Sequence, residues 1–67
     1  MKLEVVRFGS IHSVLVGNKV ALQDCEGSLE ESLILALKDT NLHSFTLTTR
    51  VYSTLEEYTS YLAGFPQ

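Results

Sequence analysis

The sequence has little cysteine, few basic residues and no long apolar run. Its 67 residues contain one cysteine, Cys25, so no disulfide can form within the chain. Small secreted domains normally depend on two or more disulfides, and we therefore expect a reducing, cytoplasmic environment. The longest apolar run, residues 33–37, is far shorter than the roughly 20 residues of a membrane-spanning helix. Glu4 and Arg7 interrupt any signal-peptide core near the start, so the sequence predicts a soluble protein.

Positive charge is scarce and scattered. Five basic residues stand against eight acidic ones, which gives a net charge of −3. Nucleic-acid binders need clustered Lys and Arg to replace the counterions of the phosphates, so this distribution disfavours nucleic acid as the main partner. A nucleic-acid-linked role stays open only if the fold gathers Lys2, Arg7, Lys19 and Arg50 on one sheet face.

The apolar content predicts a packed core. Hydrophobic residues make up 45% of the chain and charged residues 19%, a composition far from that of disordered segments. No linker or low-complexity tract interrupts residues 1–67, so we expect one domain. A chain this short buries only about 60% of its unfolded surface. Association with a second copy or another protein is therefore an expected source of extra stability.

The first 24 residues predict a three-stranded meander. Residues 3–8, 11–16 and 19–23 are rich in β-branched and aromatic side chains. Gly9-Ser10 separates the first two segments, and Gly17-Asn18 separates the next two. Gly-Asn supplies the positive φ values that a two-residue hairpin loop requires, so antiparallel pairing is expected.

The next segment predicts a loop followed by a helix. Residues 24–27 have the composition of a loop. Asp24, Glu26, Glu30 and Glu31 could attract a cation or a basic partner surface, and the alternative is that they complement the dipole of the helix that follows. Ser28 and Glu31 have the spacing of a capping box, which predicts a helix from about Leu29 to Lys38.

The last third predicts a strand and a second helix. Residues 44–51 alternate polar and apolar, with Phe45, Leu47 and Val51 on the side expected to face the core. A second capping box at residues 53–56 opens a helix, and Gly64 with Pro66 ends it.

Together these patterns predict an α+β fold. The expected order is βββαβα, with a four-stranded, mainly antiparallel sheet and both helices on one of its faces. The inward set of the first two strands stays open because Val5-Val6 and residues 14–16 are apolar on both faces. The expected core is Leu3, Val5, Val14, Val16, Val20, Leu22, Leu33, Leu37, Phe45, Leu47, Leu55 and Leu62.

Two groups of apolar side chains are candidates for a protein interface. Ile34 and Leu35 lie outside the core face of the first helix, so they either contact a partner or are covered by the last helix. The second group consists of aromatic residues in and around the last helix, which either contact a partner or surround the core. Its members are Tyr52, Tyr58, Tyr61 and Phe65.

Catalytic and ligand-binding patterns are weak. A thiolate and base, or a small-ligand site, could be built only from Cys25, His12 and His43. The acidic residues flanking Cys25 disfavour its reactive thiolate, and the spacing fits neither a catalytic signature nor a metal site. We therefore predict no enzyme activity, no catalytic residues, no metal and no cofactor.

The fourth strand offers a further means of association. Residues 44–50 are dense in Ser and Thr, and a strand at a sheet edge can extend a partner's sheet by β-augmentation. The alternative is an ordinary solvated sheet face.

One short stretch resembles a known family. The meander followed by Gly-Ser-Leu-Glu-Glu-Ser-Leu at residues 27–33 is similar to the start of HicB-like antitoxins, whose partial ribonuclease-H-like domain opens its first helix with a comparable Gly-x-Thr-Leu-Glu-Glu-Ala-Leu stretch. The similarity covers about seven residues, and the chain differs in its shorter first helix and in lacking a DNA-binding segment. It implies an antitoxin-like regulator as an alternative function.

The function expected from the sequence is non-catalytic protein binding. The chain combines weak catalytic patterns with more apolar and aromatic surface than a small monomer needs. We expect a small accessory, regulatory or inhibitor protein of a bacterium or phage, whose partner is another protein or a second copy of the chain.

Overall fold

The computed structural model describes residues 2–38 and 44–67, and it has the expected α+β fold and βββαβα order. Its strands are β1 (Lys2–Phe8), β2 (Ile11–Val16), β3 (Lys19–Cys25) and β4 (Thr46–Tyr52), and its helices are α1 (Leu29–Leu37) and α2 (Leu55–Ala63). Residues 24 and 25 were expected in a loop but continue β3, because Asp24 adopts a φ of 56° that lets the strand bulge rather than end.

The four strands form one mixed, mainly antiparallel sheet in the order β3-β2-β1-β4. The first three strands form the expected antiparallel meander. The chain segment that contains α1 then brings β4 to the far side of β1, where β4 pairs parallel to β1. As a result β3 and β4 are the two edge strands.

The hairpin turn and the first helix cap form at the predicted residues, and the second cap lies one residue later than predicted. Gly17 and Asn18 have φ values of 57° and 64°, which fit the tight hairpin between β2 and β3. Ser28 caps α1 by accepting a hydrogen bond from the Glu31 amide. The second cap is Thr54, which accepts from the Glu57 amide at 3.2 Å. The sequence pattern predicts this capping box at residues 53–56, one residue earlier.

The two helices lie on opposite faces of the sheet. The His12 ring bonds to Ser32 in α1, whereas the adjacent Ser13 hydroxyl bonds to Tyr58 in α2. Successive residues of a strand point to opposite faces, so we name these the α1 face and the α2 face. The fold class and element order are confirmed, and these two contacts correct the expectation that both helices share one face.

Both faces of the two central strands are buried as a consequence. This answers the open question about Val5-Val6 and residues 14–16, because neither alternating set is left in water. The buried apolar residues on the α2 face are Val6, Leu15, Val20, Tyr58 and Leu62. Those on the α1 face are Leu3, Val5 and Val14.

Three residues expected in the core are exposed instead. Phe45, Leu47 and Leu55 are 46%, 48% and 52% exposed. The reason is the position of the helices, since α1 packs on β2 and β3 rather than on β4, and Leu55 lies in the first turn of α2. Four other expected core residues are only half-buried, namely Val16, Leu22, Leu33 and Leu37. Neither helix that the structure describes has the length and apolar content to cross a membrane.

Candidate functional site

The side of β4 that carries apolar residues is exposed. Leu47 is in register with Leu3, and Val51 with Arg7, so both lie on the α1 face. Val51 is 71% exposed, and Phe45, just before the strand, is exposed as well. We call Phe45, Leu47 and Val51 the β4 apolar surface. Alternation in this strand was predicted correctly, but its apolar side was wrongly assigned to the core.

The polar side of β4 faces the same way as α2, although Thr48 and Arg50 stay exposed. The Thr48 hydroxyl lies within 3.4 Å of a carboxylate oxygen of Glu4, which is itself 6% exposed. The Arg50 guanidinium lies 4.5 Å from the centre of the Tyr61 ring, a cation–π geometry. Because α2 lies on the polar side of β4, the apolar residues on the other side do not contact α2 and stay exposed.

An aromatic group closes the α2 side of the sheet beside β4. The ring centre of Tyr61 lies 5.7 Å from that of Tyr52 and 5.1 Å from that of Phe65. The Tyr61 hydroxyl donates to Glu4, and burial followed by this bond raises the pKa of Tyr61. Arg50 donates to the Tyr52 hydroxyl, which is the main reason why the pKa of Arg50 is raised. Tyr52, Tyr61 and Phe65 are therefore half-buried against one another and keep only part of their surface for a partner.

Tyr58 is a core residue, so its prediction as an interface residue is wrong. Its side chain is 0% exposed, and its hydroxyl donates to Asp24 Oδ1 at 2.9 Å. Because that bond uses its only hydroxyl hydrogen, Ser13 must donate to the Tyr58 oxygen. The Asp24 amide in turn donates to Ser13 Oγ at 3.0 Å. The three groups close a ring of hydrogen bonds that joins α2 to β2 and to the bulge in β3.

Ile34 and Leu35 are not covered by the last helix. They are 66% and 60% exposed, and α2 lies on the other face of the sheet. Of the two sequence interpretations, burial within the monomer by α2 is therefore excluded. Both side chains stay available for a contact on the outer side of α1.

The two edges of the sheet differ in how they are protected. In β3 the pairing with β2 is shifted twice by bulges, and the Val20 amide donates to the Pro66 carbonyl at 2.9 Å. Bulges and a covering segment are devices that prevent edge-to-edge association. In contrast, β4 is in unbroken register with β1 over its whole length and contains neither Pro nor Lys. No strand within residues 2–38 and 44–67 pairs with the outer edge of β4.

Within the alternative thiol or small-ligand site, His12 makes a buried contact with α1. His12 is buried, and its Nε2 lies 2.7 Å from Ser32 Oγ. The Ser32 hydroxyl also lies 3.3 Å from the Ser28 carbonyl oxygen, and the direction of the shorter bond between His12 and Ser32 depends on the His12 tautomer. Burial, and secondly the charge of Arg7, lower the pKa of His12.

Cys25 faces His12 across the β2–β3 register and is half-buried. His43, the third member of the alternative site, lies outside the described residues. Within the described ranges, no cavity is enclosed and no three acidic, His or Cys side chains converge as metal ligands.

The four basic residues of the nucleic-acid alternative are divided between the two faces. By register, Arg7 and Lys19 lie on the α1 face, and Lys2 and Arg50 on the α2 face. These four residues therefore do not share one sheet face, which is what the nucleic-acid alternative requires.

Comparisons of the chain with protein-family models, with curated proteins and with solved structures found no match.

Proposed function

We propose that this protein is a non-catalytic protein-binding module that uses the outer edge of β4 together with the β4 apolar surface. The observation that carries the proposal is the orientation of β4. Leu47 and Val51 are exposed on the sheet face opposite to α2, beside an unprotected strand edge. We place the module in the cytoplasm of a bacterium or a phage-infected cell, as an accessory, regulatory or inhibitor protein.

The physical basis is the joint presence of two kinds of binding group. The outer edge of a strand presents backbone amides and carbonyls in a fixed spacing, and a partner strand satisfies them in register. Side chains on the exposed face then give that pairing its specificity. Burying the exposed halves of Leu47 and Val51 contributes about 1 kcal/mol each in favour of binding.

The rest of the molecule supports this assignment. The β3 edge is bulged and covered by the C-terminal residues, so the sheet has one edge prepared for association and one that resists it. Ile34 and Leu35 add exposed apolar area on the outer side of α1. They offer a second contact surface, which lies apart from the strand edge.

The test is a charge placed on the β4 apolar surface. Leu47→Lys leaves the exposed side chain in water when the protein is alone, so circular dichroism and the thermal midpoint stay close to those of the wild type. It introduces a desolvated charge when a partner covers β4, so association is lost. Ser60→Lys, on the exposed side of α2, is the matched control for added charge.

Association is measured in two ways with both variants: as molar mass against concentration and as capture of partners from the native cell. We expect Leu47→Lys to abolish the associations that wild type and Ser60→Lys share. If Leu47→Lys retains all of them, the proposal is wrong.

A further inference from the structure

We infer that the strand that pairs with β4 is β4 of a second copy, antiparallel across a two-fold axis at Thr49. This inference rests on the proposed function, because it names the occupant of the same surface. It makes the two four-stranded sheets one continuous eight-stranded sheet, with both copies of α2 on the same side.

The sequence of β4 is complementary to itself in this register. A two-fold axis perpendicular to the sheet keeps each face on its own side, so each residue lies opposite one from the same face. With Thr49 opposite the partner's Thr49, all seven residues of β4 find an opposite residue. Leu47 then lies opposite the partner's Val51, and Val51 opposite the partner's Leu47. Two apolar cross-strand pairs form on the α1 face.

Charge also favours this register. Arg50 lies opposite the partner's Thr48, which is neutral and is next to the partner's Glu4 in the sheet. The Arg50 backbone is then two strand spacings, about 10 Å, from that of the partner's Glu4. Each Arg50 therefore lies opposite a neutral residue, and its guanidinium keeps its contacts with Tyr52 and Tyr61 of its own copy.

The neighbouring registers are worse. An axis at Arg50 places two guanidinium groups directly opposite each other, and like charges in that position are destabilising. An axis at Thr48 pairs only residues 46–50 of β4 and sets Leu47 opposite a threonine. Only the axis at Thr49 combines full pairing, apolar contact on one face and the absence of directly opposed like charges.

The strand edge itself argues for a copy of the same chain. A two-fold interface requires one surface that is complementary to itself, and closed dimers are the commonest soluble assemblies. Pairing would satisfy the outward backbone groups of both strands with about six hydrogen bonds. It would also give a chain of 67 residues a larger shared core, which a domain of this size otherwise lacks.

The experiment is a site-specific disulfide cross-link in a Cys25→Ser background. Thr49→Cys places the two new thiols opposite each other at the axis, where the Cβ atoms are about 4.5 to 5.5 Å apart and a small shift of the strands reaches the roughly 3.5 to 4.5 Å of a disulfide. Val51→Cys is the matched control, since the same register separates the two copies of residue 51 by about 13 Å along the strands. Both positions are exposed, so both variants are expected to fold.

Mild oxidation followed by non-reducing electrophoresis should convert Thr49→Cys to a covalent dimer and leave Val51→Cys monomeric. The molar mass of the wild type should rise towards twice the monomer value with concentration. Equal cross-linking of the two variants, or none of either, overturns the inference.

The outcomes also separate the two proposals. If the wild type stays monomeric and Thr49→Cys does not cross-link, but Leu47→Lys loses a partner that Ser60→Lys keeps, the second copy is wrong and protein binding by β4 stands. If Leu47→Lys also loses nothing, both proposals fall.

Discussion

Removing the hydroxyl of Tyr58 should destabilise the protein by about 1 to 2 kcal/mol. The side chain is fully buried, and its hydroxyl closes the ring with Ser13 and Asp24. In Tyr58→Phe the aromatic ring is kept, but Ser13 Oγ–H loses its acceptor in a site without access to water. The Asp24 carboxylate is exposed and can be hydrated instead, so its loss adds little.

The size of the loss in stability is therefore set by the buried Ser13 hydroxyl. A buried donor left without an acceptor costs about 1 to 3 kcal/mol, and relaxation of the serine hydroxyl towards the bulge in β3 brings the value towards the lower half. For a domain of this size, 1 kcal/mol corresponds to a fall of about 4 to 8 °C in the thermal midpoint.

Urea unfolding of wild type, Tyr58→Phe and Tyr52→Phe measures the effect. Tyr52 is the matched control because its hydroxyl accepts only from the exposed Arg50, so its removal should leave the free energy of unfolding nearly unchanged. Equal stability of the two variants would refute the ring of hydrogen bonds as a source of stability.

Two further predictions concern the core and its pH dependence. The pKa of His12 is lowered in the folded state, whereas in the unfolded chain it keeps its ordinary value of about 6.5. Below that pH the unfolded chain therefore binds more protons than the folded protein, so the free energy of unfolding should fall as the pH drops from 7 towards 5.5. His12→Gln should flatten this slope in urea unfolding at successive pH values, and an unchanged slope would assign the dependence elsewhere. Leu62→Ala should cost about 2 to 5 kcal/mol, since Leu62 lies on the side of α2 that is buried against the sheet, whereas Leu55→Ala, at an exposed position of the same helix, should cost less than about 1 kcal/mol. Similar costs for the two leucines in thermal unfolding would contradict the placement of α2.

Local signals in the sequence were sufficient for the elements. Gly17-Asn18, Ser28 and the alternation after residue 44 each depend on contacts within a few residues, and the structure places a hairpin, a helix cap and a strand there. These effects act through backbone dihedral angles and short-range hydrogen bonds, so a short window of sequence contains them.

The faces of the sheet could not be predicted in the same way. A strand that alternates Thr and Leu is expected to bury Leu, but in β4 the leucine side is exposed, because α2 lies on the other face, where its Tyr61 contacts Arg50 and Tyr52. Which side a helix covers depends on the chain path between elements, and no local pattern specifies it. For the same reason the sequence did not indicate that Tyr58 is buried, and it wrongly indicated that Leu55 belongs to the core.

The polar residues of the core were missed for a related reason. The sequence gives no sign of the roles of Ser13 and Ser32, and it suggests His12 only for a thiol or small-ligand site, because the partners of these residues are far away in sequence. The available signal was the apolar character of both faces of β2, which indicates a strand covered on both sides. A polar residue in such a strand must find a hydrogen-bond partner in a helix, and His12 and Ser13 each do so.

The central claim is that the outer edge of β4 pairs with another strand, and amide hydrogen exchange tests it most directly. Exchange rates of individual amides are compared in a dilute and in a concentrated solution of the wild type. We predict that the outward amides within Thr46–Tyr52 exchange more slowly at high concentration, while those of β3 do not change. Equal exchange of the β4 amides at both concentrations, with protection appearing on β3 or α1 instead, would contradict the account.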